Sequence, residues 1–233
     1  MTGLDGSTWP EMARAAGSGA TLLVPVGSTE QHGPHLPLTT DTDIAVAIAT
    51  AAASRCPELV VAPALAYGSS GEHEDFAGTL SIGRQVTETV LVELGRSASR
   101  DFTTTLVVST HGGNAHPLGR AMARLVDEGH PVVAWWPDWP GDLHAGRTET
   151  SLMLAIAPGR VHLDRVEVGD LRPAAAVWPE LVARGVRTVS SNGVLGDPAG
   201  ASAEEGRALL GRAADSLLRA ARRARADRAG GAA

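Results

Sequence analysis

The stretch Thr21-Leu22-Leu23-Val24-Pro25-Val26 is followed by Gly27-Ser28-Thr29-Glu30-Gln31-His32-Gly33-Pro34-His35-Leu36-Pro37-Leu38-Thr39-Thr40-Asp41, and then by the alanine-rich run Thr42–Arg55. A short apolar run closed by a glycine has the length and composition of a buried strand. The alanine-rich run has helical length, and the polar loop between them is stiffened by glycine and proline. The same order recurs along the chain. Apolar runs of strand length stand at Leu59–Leu65, Thr105–Ser109 and Pro131–Trp136, and segments of helical period at Val86–Ser97, Ala115–Glu128 and Glu149–Ala157. Short strands alternating with amphipathic helices mean βαβ units, hence an α/β fold with a mostly parallel sheet. A helix near Pro173–Arg184, a loop at Asn192–Gly200 and a long terminal helix Ala203–Arg225 complete the pattern. The 233 residues fit one domain, 1–233, with ends frayed at about 1–15 and 226–233.

The net charge of −6 argues against a nucleic-acid partner. The basic cluster Arg219, Arg222, Arg223, Arg225 and Arg228 is interleaved with Leu217, Leu218 and Ala221 at helical spacing, which predicts a solvated helix face. A single cysteine, Cys56, excludes an internal disulfide and fits a reducing, cytoplasmic setting. No apolar run reaches the roughly 18 residues of a membrane span, and Met1–Glu11 lacks the basic start and apolar stretch of a secretion signal. A membrane partner is not expected.

Three polar clusters, Gly27–Asp43, His111–His116 and Asp138–Glu149, each follow an expected strand and precede an expected helix. In an open parallel sheet such loops share the edge beyond the strands' carboxyl ends, where ligands bind. Glu30 and His32 are two apart, so in extended backbone their side chains point the same way. Asp41 follows Thr40 at a helix start, with Asp43 placed as in a capping box. Asn114 suits an N-cap, as does Thr148 before Glu149. Each cluster alone reads as ordinary turn and cap chemistry. Together they hold five of the eight histidines, with carboxylates beside them. Carboxylate and imidazole without thiolate suit Zn²⁺, Fe²⁺ or Mn²⁺, and the set is large enough for two ions sharing one carboxylate. Such a pair activates water and polarises the carbonyl it attacks.

The residues Glu30-Gln31-His32-Gly33-Pro34-His35-Leu36-Pro37 with Thr40-Asp41, His111-Gly112-Gly113-Asn114, and His144-Ala145-Gly146 with Glu149-Thr150-Ser151 resemble the creatininase (creatinine amidohydrolase) family, from about Leu22 to Gly206. The resemblance implies a three-layer α/β/α sandwich, a ring-like homo-oligomer, and two divalent ions per subunit that hydrolyse an amide bond. It makes Glu30 and His111 ligands of one ion, His32 of the other, and Asp41 the bridge. In creatininase a glutamate ligand stands two positions after this histidine, where this chain has Gly113; Glu149 is then expected as a ligand completing the coordination of the second ion. His144 matches the family's catalytic histidine, which protonates the departing nitrogen. Glu72 and His73, within Tyr67–Thr79, fall on a segment lining the substrate side. Trp135, Trp136 and Trp139 suit either a pocket wall or the core. The stretches Tyr67–Thr79, Gly95–Ser99 and Gly193–Pro198 are most like the mycofactocin branch, implying a peptidase that frees the C-terminal Val-Tyr-derived unit of a modified precursor peptide. The alternatives are a hydrolase of a small cyclic amide or formamide and a metal-stabilised structural subunit. The chain has no glycine-rich phosphate loop of the usual patterns.

Overall fold

The computed structural model describes residues 3–139 and 141–230. Strands β1 (Thr21–Val26), β2 (Leu59–Val61), β3 (Thr104–Ser109) and β4 (Val132–Trp135) form a parallel sheet in the order β2-β1-β3-β4. Registers Val26↔Ser109 and Val108↔Trp135 bring the carboxyl ends of three strands nearly level. The chain leaves β1 to one side for β2 and returns to its other side for β3. The sheet therefore switches direction between β1 and β3, the place where such folds open a crevice.

Both faces of the sheet are covered. On one, Leu23, Leu106 and Val108 pack with Ile44 and Ile48 of α2 (Thr40–Ala53), Leu152 and Met153 of α5 (Arg147–Ile156), and Leu217 of α8 (Ala203–Gly230). On the other, Leu22, Val24 and Val107 meet Leu91 of α3 (Gly83–Ala98) and Leu118 and Leu125 of α4 (Ala115–Asp127). Successive residues of one strand thus feed opposite cores, and each buried leucine contributes roughly 1.5–3 kcal/mol. The result is the three-layer α/β/α arrangement of a single α/β domain.

The differences from the sequence reading are local. The expected strand Leu59–Leu65 ends at Val61, and its bridge to β1 resumes only at Leu65. Ala62 N–H still donates to Leu23 O, and the next donor to β1 is Leu65 N–H, onto Pro25 O, one residue later than the ladder's alternation requires. Much of the N-terminal region expected to fray is helix α1 (Trp9–Gly17), held by a Thr8–Glu11 capping box, and α8 continues to Gly230. Residues 1–2 and 231–233 of the expected frayed ends lie outside the described residues. A helix α6 (Ala174–Arg184) stands where one was expected, and a short α7 (Val186–Val189), not read from sequence, follows it. The basic face of α8 is exposed at Arg219, Arg222, Arg223 and Arg228, while Leu217, Leu218 and Ala221 are buried. Among the described residues no helix is long and apolar enough to cross a membrane.

Candidate metal centre

The loop after β1 doubles back on itself: His32 and Leu36 form an antiparallel bridge, and the Glu30 N–H donates to Leu38 O at 2.9 Å. Gly33, at φ +65°, makes the reversal that a side-chain-bearing residue would resist. This fold of the loop aims Glu30 and His32 inward, both fully buried. Asp41, in the first turn of α2, is fixed by Ser28 Oγ, which donates to its Oδ2 at 2.6 Å. His111 arrives from the loop after β3, and His144 and Glu149 from the segment after β4.

These side chains converge. His111 Nδ1 lies 3.1 Å from Glu30 Oε1 and 3.4 Å from Asp41 Oδ2. His32 Nε2 lies 3.5 Å from Asp41 Oδ1 and 3.9 Å from Glu149 Oε2. Asp41 thus stands between two groupings, Glu30–His111 and His32–Glu149. Each of these histidines spends its other nitrogen on a backbone carbonyl: His111 Nε2 on Ser69 O at 2.9 Å, His32 Nδ1 on Glu30 O at 3.1 Å. A carbonyl only accepts, so each ring's N–H points outward, leaving the inward nitrogen to take either a proton or a cation, which is how proteins orient imidazole ligands. Among the described residues neither Glu30 carboxylate oxygen nor His32 Nε2 has a hydrogen-bond partner, although all are buried. A buried carboxylate left this way is costly unless a cation neutralises it. The donor set fits divalent ions of the zinc, iron or manganese type.

The electrostatics agree. Burial works against charge on His32 and His111, yet Asp41 and Glu30 respectively outweigh it, lifting the two rings to about 9 and about 10. Burial likewise opposes the charged form of Asp41, but His32 and His111 hold its carboxyl below the usual range. Burial, with the charge on Asp41, lifts Glu149 to about 7 against the pull of His32. In the metal-free protein, protons on the histidines thus fill the place of cations.

His144 and His73 complete the cluster. Burial keeps both rings neutral, His144 well below its ordinary value and His73 near 3. His144 Nδ1 lies 3.9 Å from Glu30 Oε1, and its ring centroid is 4.3 Å from that of His32. His73 Nε2 lies 3.4 Å from the same Glu30 oxygen. Ala145, after His144, has φ +52°, a rarely populated conformation for a residue with a Cβ, and its N–H donates to Glu149 Oε2 at 2.6 Å. The strained turn orients Glu149. Glu72 Oε1 lies 3.9 Å from His111 Nε2, on the ring's outer side.

Gly113 is where a side chain cannot fit. A Cβ there would collide with Ser69 O, the Glu72 carboxylate and His111 Nε2. Ser69 O is backbone and cannot yield cheaply, so Gly113→Ala is expected to cost about 1–3 kcal/mol, the usual penalty of overpacking. It should also displace the His111 ring. Calorimetry and metal analysis check this; an unchanged Tm together with unchanged metal content would contradict it.

Several side chains do other jobs than the sequence suggested. Asn114 makes no side-chain cap; its amide accepts from Ser69 N–H and donates to Gly27 O, tying three loops together. The N-cap of α2 is Thr39, not Thr40; its hydroxyl donates to Asp43 Oδ2, and its side chain makes no capping hydrogen bond to the backbone. Asp142, rather than Thr148, accepts from the first N–H of α5. Trp135 belongs to the core, while Trp136 and Trp139 line a cavity of about 190 Å³ that reaches Thr148 and Glu149. His35, behind the site, hydrogen-bonds Thr150 Oγ1 at 2.8 Å. Gln31 and Ser28 were not singled out by sequence; the only signal was an amide flanked by Glu30 and His32 in a rigid loop.

A parallel α/β sheet carrying buried carboxylates and imidazoles at its switch point offers a donor set suited to divalent ions. A family model described as creatinine amidohydrolase matches residues 5–221. The chain is 46% identical over 221 residues to a protein of Mycolicibacterium smegmatis named mycofactocin precursor peptide peptidase, covering 90% of this chain and 87% of that one. A protein of the same name from Mycobacterium ulcerans is 44% identical over 223 residues, covering 91% and 84%. A solved structure described as creatininase with manganese superposes with a TM-score of 0.80 at 28% identity, over 94% of this chain and 97% of that one. The chain belongs to the creatininase family, and it is a hydrolase of amide bonds.

Proposed function

We propose that this chain is a peptidase requiring two divalent ions, which hydrolyses the mycofactocin precursor peptide on the amino side of its C-terminal Val-Tyr-derived unit. The observation that carries the metal part is the buried Glu30 carboxylate, which makes no hydrogen bond among the described residues and is faced by the inward ring nitrogen of His111. The peptide part is supported by relatives of that name, with which the chain shares nearly half its residues along most of their length. In this reading Glu30, Asp41 and His111 hold one ion and His32, Asp41 and Glu149 the other. When bound, the ions lower the pKa of a water and polarise the scissile carbonyl.

The remaining work falls to the chain itself. His144 donates its Nε2–H to Gln31 O at 2.8 Å, which leaves the Nδ1 lone pair facing the cluster. That atom takes a proton from the attacking water and returns it to the departing nitrogen, which leaves poorly unless protonated. The opening lined by Trp136 and Trp139 offers apolar walls for the peptide's C-terminal unit. Arg147 pairs with Glu205 at 2.9 Å on the surface, so no arginine of that segment waits for a substrate carboxylate. A C-terminus that has lost its carboxylate suits such a site. Subunits assembled as a homo-oligomer and a cytoplasmic setting complete the proposal.

Metal uptake should release protons. With His32 near 9 and His111 near 10 in the metal-free protein, both are protonated at pH 7, and ligation needs their lone pairs. About two protons from the histidines should leave on loading at pH 7, and apparent affinity should rise as pH climbs towards 9. Calorimetry in buffers of different ionisation enthalpy measures the release; loading without proton release would show that the two lone pairs are not ligands. The function itself is tested by mass spectrometry of the enzyme with modified precursor, unmodified precursor and creatinine. Cleavage of the modified peptide before its Val-Tyr-derived unit is expected. Turnover of creatinine and of neither peptide would replace the substrate while leaving the metal hydrolase in place.

A further inference from the structure

We propose that Gln31 is a positioning residue that gives the two non-liganding histidines opposite polarity, leaving His144 with a lone pair and His73 with an N–H directed at the metal cluster. The orientation of the Gln31 amide is fixed by chemistry. Its Oε1 accepts from the Gly33 N–H at 2.8 Å, and a backbone N–H can only donate. Its Nε2 lies 3.1 Å from Gly193 O, which can only accept. The amide nitrogen therefore also faces His73 Nδ1, at 2.8 Å, and donates its second hydrogen there.

Two tautomers follow. His73 Nδ1 accepts, so its one proton sits on Nε2, the atom 3.4 Å from Glu30 Oε1. The backbone carbonyl of the same Gln31 accepts from His144 Nε2 at 2.8 Å, so the inward Nδ1 of His144 carries a lone pair. With both amide hydrogens of Gln31 committed, the 3.1 Å approach of its Nε2 to His144 Nε2 is a contact, not a hydrogen bond. His32, His111 and His144 each spend one nitrogen on a backbone carbonyl, whereas His73 is held by a donor. Besides Glu30, Asp41 and His111, two groups lie close enough to hold a cation: Glu30 with His73 and His144, and His32 with His144 and Glu149. An inward N–H on His73 excludes it as a ligand beside Glu30 and leaves a donor directed at the cluster for a substrate oxygen. His144, by contrast, is free to accept a proton. That last role rests on the hydrolase reading; the tautomers do not.

Neutron diffraction from deuterium-exchanged, zinc-loaded crystals tests the assignment without any turnover. Deuterium is expected on Nε2 of His73 and on Nε2 of His144, with none on Nδ1 of either ring. Deuterium on Nδ1 of His73, or on Nδ1 of His144, would overturn the proposal even if the chain proves a peptidase. In Gln31→Glu a carboxylate oxygen replaces the donor, so deuterium should move to Nδ1 of His73, while two ions stay bound per chain. A His73 tautomer unchanged in Gln31→Glu would show that Gln31 does not set it. The wild-type crystals decide the matter should that variant not fold.

Discussion

Asp41→Asn is expected to empty the centre. Among the described residues Asp41 is the one carboxylate within 3.5 Å of both inward histidine nitrogens, and its two oxygens face different rings. A neutral amide offers one oxygen acceptor and one NH₂ donor, and the donor would point at a cation. The substitution also turns Ser28 Oγ from donor to acceptor or leaves it unpaired. Loss of a partner that merely orients a ligand costs about 10–100-fold in metal affinity or activity, so loss of the shared carboxylate should exceed about 100-fold in both. The protein should stay folded, because removing the carboxylate relieves a buried charge as the cations depart. Elemental analysis after dialysis, beside circular dichroism, checks this; undiminished metal would remove Asp41 from the shared position.

His144→Ala should have the opposite signature. The ring hydrogen-bonds Gln31 O and stacks near His32 and His73, but it lies 3.9 Å from the nearest Glu30 oxygen. The metals are expected to remain, while turnover falls by about 10²–10⁴-fold, the range for loss of general acid–base catalysis. KM should change much less than kcat, since the proton moves only in the transition state. Near-normal turnover would place proton transfer elsewhere, and loss of metal would make His144 a ligand.

Much of this was legible in sequence because the fold is local in character. The run Thr21–Val26 read as a strand by composition alone, and the alternation of strands with helices set the parallel sheet. Once the sheet is parallel, Glu30, His111 and His144 must end at one edge, although more than a hundred residues separate the first from the last. One miss had a local cause. The strand expected over Leu59–Leu65 stops at Val61: Ala62 N–H still donates to Leu23 O, but the next donor to β1 is Leu65 N–H instead of Ala64, a one-residue slip that an apolar run hides. Two further misses depend on long-range partners. Asn114 looked like a cap because nothing local shows Gly27 O or the Ser69 N–H beside it. Gln31 was invisible for a related reason. Its partners His73, His144 and Gly193 are 42, 113 and 162 residues distant.

The most direct measurement is anomalous X-ray diffraction from crystals of the purified enzyme, collected on both sides of the absorption edge of its metal. Two peaks per chain are expected, one among Glu30, Asp41 and His111 and the other among His32, Asp41 and Glu149. No peak at these carboxylates, or a peak confined to Glu30, His73 and His144, would contradict the two-ion centre.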